Sequence, residues 1–120
     1  MAAPIVVVHD EPDFLAQASA ALASTGYPII TFVDSSSAWD ALSAAAEVKL
    51  LITRVQFPPG QPHGVALALG ARRKHPKLSI LFTAKPEYAD RAFSVGEFLT
   101  LPVDMLDLVA AVDRLLKAAP

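Results

Sequence analysis

The chain contains no cysteine. Disulfides, thiolate nucleophiles and cysteine metal sites are therefore excluded, and the composition fits a reducing compartment. A dominant charge is also missing: 10 basic residues against 12 acidic ones leave a formal net charge of -2. That balance gives no general reason to bind nucleic acid or an anionic membrane. No apolar run approaches the roughly 20 residues that span a bilayer. Met1-Ala2-Ala3-Pro4 lacks a basic, apolar, cleavable leader, so a soluble cytoplasmic domain is the expectation. Charged residues make up only 18% while hydrophobic ones make up 53%, which argues against disorder. At 120 residues the chain is read as one domain, 1–120, with a substantial core.

Short apolar runs alternate with helical patterns. Ile5-Val6-Val7-Val8 reads as a strand buried on both faces. Pro12 suits a first helical position, Phe14, Leu15, Ala18 and Leu22 recur at helical spacing, and Gly26 is a natural stop. Ile29 to Val33 is a second strand, after which Asp34 and three serines offer caps for a helix bearing Trp39 and Leu42. Leu50 to Thr53 is a third strand, closed by Pro58-Pro59-Gly60. A third helix runs from near Gly64 to the basic cluster Arg72-Arg73-Lys74-His75, before Pro76. Ile80-Leu81-Phe82 is a fourth strand ending at Thr83-Ala84, and Glu87 to Val95 reads as a short helix. Phe98 to Leu101 is a fifth strand stopped by Pro102, and Asp104 caps a last helix with Met105, Leu108, Val109, Val112, Leu115 and Leu116 inward.

Five strand–helix units with short connections predict an α/β fold with a parallel sheet and five helices. Right-handed crossovers make the doubly wound order 2-1-3-4-5 the commonest solution. In that order the carboxyl ends of strands one, three, four and five converge. They collect His9, Asp10, Glu11, Arg54, Thr83, Ala84 and Leu101-Pro102.

These residues carry a resemblance. Val7-Val8-His9-Asp10-Glu11-Pro12 resembles the acidic opening motif of bacterial response-regulator receiver domains, usually Asp-Asp-Glu-Pro. Leu50 to Val55, with Pro59-Gly60 and Gly64, resembles the segment carrying the phosphoacceptor aspartate. Ser79 to Ala84 resembles the strand ending in Thr/Ser-Ala, and Phe98 to Val103 the last strand with its switch aromatic and Lys-Pro signature. The motifs keep their order across essentially the whole chain. The resemblance implies a flavodoxin-like, receiver-type sheet.

It also implies roles, and several are vacated. In the family an aspartate at the position of Arg54 attacks a phosphohistidine donor, with Mg²⁺ held by carboxylates neutralising the transition-state charge. A lysine at the position of Leu101 and the hydroxyl at Thr83 take phosphoryl oxygens. A guanidinium is permanently protonated and cannot act as that nucleophile. Leu101 supplies no cation, His9 replaces one metal-holding acid, and Arg54 opposes Mg²⁺ in the same pocket. Asp10 and Thr83 remain. Phosphorylation is not expected, and Mg²⁺ binding is expected to be lost or weak. Phe98 fits the switch aromatic without a hydroxyl. The interval from Thr83 to Leu101 is shorter than the family's usual one by about four residues, roughly one helical turn, which reshapes the face built by the fourth helix, fifth strand and last helix. The position of Pro102 implies a cis bond after Leu101.

Two readings of Arg54 stand side by side. Its fork mimics the metal-bound state by pairing with Asp10, and with Glu11 beyond it, or it merely neutralises leftover acids. His9, Asp10 and Glu11, with His63 from the neighbouring loop, are weak candidates for a transition-metal site. The simpler place for His9 is a partly exposed loop. The run Arg72 to His75 reads as the solvated end of a helix rather than a phosphate contact, Thr83 as a hydrogen-bonding remnant, and Trp39 and the phenylalanines as core.

The function so read is a non-enzymatic receiver-like domain of two-component signalling, acting by phosphorylation-independent contacts through Phe98, Pro102 and the last helix. The implied partner is a sensor histidine kinase, another regulator or a second copy, with no nucleic acid or membrane. Residual phosphotransfer through Asp10 or His9, and anion or small-ligand sensing at Arg54 and Thr83, are the alternatives.

Overall fold

The computed structural model describes residues 3–88 and 95–118. Strands β1 (Ile5–Val8), β2 (Ile29–Phe32), β3 (Leu50–Arg54), β4 (Ser79–Ala84) and β5 (Glu97–Thr100) form one sheet in the order β2-β1-β3-β4-β5. Every neighbouring pair is parallel. The α-helices are α1 (Pro12–Leu22), α2 (Ser35–Ala44), α3 (Gly64–Lys74) and α4 (Met105–Ala118). The described residues thus hold four α-helices. The short helix expected over 87–95 falls largely outside them, and Pro86–Tyr88 is a single 3-10 turn.

Local chemistry sets the helix ends. Pro12 opens α1, and the 3-10 turn that follows it stops at Gly26, whose φ of 82° is in the left-handed region. Asp34 caps α2, its carboxylate accepting from the Ser37 N–H at 2.7 Å. Asp104 does the same for α4, accepting from the Leu106 N–H at 2.7 Å. The Leu101–Pro102 bond is cis. Among the described residues no helix is long and apolar enough to cross a membrane.

The sheet separates two apolar layers. Val6, Val8, Leu51, Val55, Ile80 and Phe82 face α2 and α3, where Ala38, Leu42, Leu67, Ala68 and Ala71 complete the cluster. Ile5, Val7, Leu50, Ile52 and Leu81 face the other way, onto Leu15, Ala18 and Leu22 of α1 and Leu108, Ala111 and Val112 of α4. Burial on both faces explains why β1, β3 and β4 read as continuous apolar runs.

Two expectations about side chains change. Trp39 is 39% exposed rather than core: it lies across the outside of the α2/α3 pair, while Ala38 and Leu42 fill the interior. Among the phenylalanines Phe82 is fully buried, whereas Phe14, Phe32, Phe57 and Phe98 are only partly so. The basic run that closes α3 is a solvated end only in part: Arg73 and Lys74 are exposed, whereas Arg72 is half-buried and His75 buried. Arg72 donates to the Val95 carbonyl at 2.7 Å and the Leu78 carbonyl at 3.0 Å. Lys74 donates to the Ser43 carbonyl at 2.6 Å, and buried His75 contacts the Leu42 carbonyl through Nε2 at 3.2 Å. Carbonyls at element ends lack backbone partners, and these side chains supply them.

Candidate functional site

Strand register builds the site. Val8 pairs with Thr53, and Arg54 pairs with Thr83. Side chains alternate between faces along a strand, so His9, Arg54 and Thr83 fall in one row at the carboxyl edge, on the face that carries Val7, Ile52 and Leu81. The backbone of β3 continues one residue past Arg54, where the Val55 N–H donates to the Thr83 carbonyl at 3.1 Å. The chain then turns through Pro58 and Pro59 and re-enters at α3, the Gly64 N–H donating to the Val55 carbonyl at 2.7 Å. A Cβ on Gly64 would lie 1.8 Å from the Arg54 carbonyl oxygen. Only glycine allows this approach.

Arg54 is the hub. Its Nη1 donates to Asp10 Oδ1 at 2.6 Å and lies 3.7 Å from Glu11 Oε1. The expected pairing with Asp10 and Glu11 is present, but both contacts come from one nitrogen rather than from the two arms of a fork. At 2.6 Å the contact is as short as the shortest charge-assisted N–H···O bonds. The Arg54 side chain is 19% exposed and Asp10 29%, so the pair is shielded without being sealed off. Asp10 and Arg54 form one wall of a shallow cavity of about 230 Å³, closed by Gln56, Phe57, Pro58 and Pro59.

His9 differs from expectation. It is 2% exposed rather than partly exposed. The ring stacks on Phe14 of α1 with centroids 4.1 Å apart and an interplanar angle of 21°. Its Nδ1 accepts from the Glu11 N–H at 3.2 Å, which places the proton of the neutral ring on Nε2. Nε2 is buried with no hydrogen-bond partner among the described residues. Burial first, and the Arg54 guanidinium second, lower the His9 pKa from its ordinary 6.5 to about 4, against an opposing pull from Asp10. At neutral pH His9 is uncharged, and its 3.7 Å approach to Asp10 is not an ion pair.

Thr83 is fully buried, and its Oγ1 makes no hydrogen bond among the described residues. The hydrogen bond expected of it is thus not found among them. Leu101 is half-buried and continues the strand pairing through its N–H to the Ala84 carbonyl at 2.9 Å. It presents no polar group to the site. Phe98, on β5, packs against the α2/α3-side core.

His9, Asp10 and Glu11 keep their potential ligand atoms within 4.8 Å of one another. His63 is not among them; its Nδ1 instead accepts from the Val65 N–H at 3.3 Å, capping α3. The set does not fit Mg²⁺. That ion demands oxygen ligands in near-octahedral geometry, whereas here Asp10 is engaged by a guanidinium that also approaches Glu11, and the third member is a buried imidazole.

Some contributors were not visible in the sequence. Tyr88 donates its hydroxyl to Gln56 Oε1 at 2.5 Å, tying the segment after β4 to the loop after β3. Gln61 Oε1 accepts from the Ser35 N–H at 3.0 Å, and Ser35 Oγ donates to the Pro62 carbonyl at 2.7 Å, which pins the same loop to the start of α2. Glutamine and tyrosine in loops carry no pattern that identifies their partners. Phe14 was legible as apolar at helical spacing, though not as the ring under His9.

No family model matches the sequence. Solved structures of similar fold include a response regulator receiver protein from Sinorhizobium medicae, 24% identical, with a TM-score of 0.87 over 99% of this chain and 98% of that one. A response regulator receiver domain protein from Clostridium thermocellum is 20% identical, with a TM-score of 0.82 over 96% of this chain and 94% of that one. The chemotaxis protein CheY4 of Vibrio cholerae is 22% identical, with a TM-score of 0.79 over 97% of this chain and 100% of that one. The chain has the receiver-type flavodoxin-like fold.

Proposed function

We propose that the chain is a receiver-like module of two-component signalling that works by protein contacts without being phosphorylated. The observation that carries this reading is the 2.6 Å bond from Arg54 Nη1 to Asp10 Oδ1. A fixed cation lies on the carboxylate that would hold a metal, and it projects from the position where the resembled family has its nucleophile. Glu11 at 3.7 Å adds a second carboxylate to the same nitrogen. Leu101 offers no second cation, and Thr83 Oγ1 has no hydrogen-bond partner among the described residues. Arg54 thereby holds the site in one charge-balanced arrangement, and signalling depends on who binds the module rather than on its chemical state. The partner is a sensor kinase or another regulator docking on β5 and α4, around Phe98 and Pro102.

Thermal unfolding with and without Mg²⁺ tests this reading. The chain should show no stabilisation at millimolar Mg²⁺, whereas an Arg54→Asp variant should gain it, because an ion that binds the folded state raises the midpoint. Stabilisation of the unaltered chain would mean that the metal site survives. The orphaned Thr83 hydroxyl beside Arg54 favours anion sensing as a second reading, but two carboxylates already balance the guanidinium. Stabilisation by inorganic phosphate would revive it.

A further inference from the structure

The α2/α3 layer shows two large apolar side chains to solvent, Trp39 at 39% and Leu69 at 50% exposure. Trp39 is held there by its neighbour: a Cβ on Gly70 would come within 2.6 Å of the indole, so the glycine lets the ring settle against α3. Beside the ring opens a cavity of about 400 Å³, lined by Ser36, Trp39, Asp40, Pro62 and Ala66. On α3, Ala66, Leu69, Gly70 and Arg73 follow at helical spacing and continue the strip. Apart from exposed Asp40 and Arg73, the residues exposed along it are small or apolar around a single aromatic anchor, the composition of an interface centre rather than of ordinary surface.

Charge identifies the occupant. The only charged residue of α2 is Asp40, whereas α3 carries Arg72, Arg73 and Lys74 and no acid. Arg72 and Lys74 are turned onto carbonyls of their own chain, which leaves exposed Arg73 as the cation of the strip. A two-fold axis running along the groove sets α2 of one copy over α3 of the other. Asp40 then meets Arg73 twice, by symmetry, around the paired Trp39 and Leu69 side chains. A patch whose halves carry opposite charge complements itself.

We propose that the α2/α3 face binds a second copy of the chain in this isologous arrangement. Two helices about 15 Å long, together about 20 Å across, cover less than the roughly 800 Å² per partner of a standard interface. The dimer is therefore weak and concentration-dependent. It forms on the opposite side of the sheet from α4, and so does not compete with a partner docked there.

Trp39 is the chain's only tryptophan, so its emission reports directly on this face. Sedimentation equilibrium and fluorescence are read together on the whole chain from about 1 µM to about 1 mM, spanning micromolar affinity. The expected result is a rise from monomer towards dimer mass accompanied by a blue shift of emission. Leu69→Glu and Ala66→Arg, both at exposed positions, should each weaken association by about tenfold or more. Arg73→Asp should weaken it by about tenfold, and adding Asp40→Arg should restore it. Leu106→Glu on α4 should change nothing. A monomer at every concentration, a dimer abolished by Leu106→Glu but indifferent to Leu69→Glu, or a blue shift seen only on adding a different protein would each overturn the proposal.

Discussion

Arg54 and Thr83 stand opposite each other on β3 and β4, and among the described residues only the arginine side chain finds a partner. Arg54 reaches across to Asp10 at 2.6 Å, while the Thr83 hydroxyl, fully buried, has no partner among the described residues. A receiver-type fold places both at the sheet edge where ligands bind. In this chain the arginine has turned towards β1 and bonded there.

Thr83→Val should leave the fold intact and should not lower stability. A buried hydroxyl with no hydrogen bond costs about 1–3 kcal/mol, so an isosteric apolar replacement is expected to be neutral or stabilising by about 1 kcal/mol. Urea denaturation measures this. A loss of more than about 1 kcal/mol would reveal a hydrogen bond that the hydroxyl makes in solution.

Arg54→Ala should destabilise the chain by about 1–3 kcal/mol, because it strips the charge-assisted bond and leaves two neighbouring carboxylates unbalanced. In a double-mutant cycle with Asp10→Asn the two effects should be non-additive. Unchanged thermal stability in Arg54→Ala would end the view that this side chain fixes the site, leaving it a bystander that neutralises acids.

Histidine 9 makes stability fall with acid. Its pKa is lowered from 6.5 to about 4 in the folded chain, so between those values the unfolded chain binds the proton and the folded one does not. Stability from this source is complete above about pH 6.5. It declines as pH falls towards 4, by up to about 1.4 kcal/mol per pH unit. Comparing urea midpoints of the parent and His9→Gln over that range isolates the effect, and removing Arg54 should raise the His9 pKa in an NMR titration. Equal pH slopes in parent and variant would contradict the buried, neutral ring.

Gly64→Ala should cost about 3 kcal/mol, since its Cβ would fall 1.8 Å from the Arg54 carbonyl and force β3 and α3 apart. Thermal melting, with circular dichroism to confirm the fold, checks this. A melting point within a degree of the parent would show that the two backbones are not in close contact.

Much of the fold was legible because its signals are local. Pro12, Asp34 and Asp104 announced helix starts, and the β-branched runs announced strands buried on both faces. The meeting of Asp10 and Arg54 was legible from strand order alone. His9 was not: β1 is buried on both faces, so alternation said nothing about its environment, and the Phe14 ring beneath it comes from packing of α1. Arg72 read as a solvated cation because its two acceptor carbonyls, on Leu78 and Val95, lie in other segments. Trp39 read as core because hydrophobicity does not say which side of a helix pair an indole occupies.

The measurement that bears most directly on the central claim is intact mass after incubation with Mg²⁺ and acetyl phosphate, for the parent, Arg54→Asp, and Arg54→Asp combined with Leu101→Lys. The parent should keep its mass, and the double variant should gain one phosphoryl group. The single variant shows whether Arg54 alone disables the site or Leu101 closes it as well. A parent chain that gains a phosphoryl group would contradict the claim, and the modified residue would then have to be sought at Asp10 or His9.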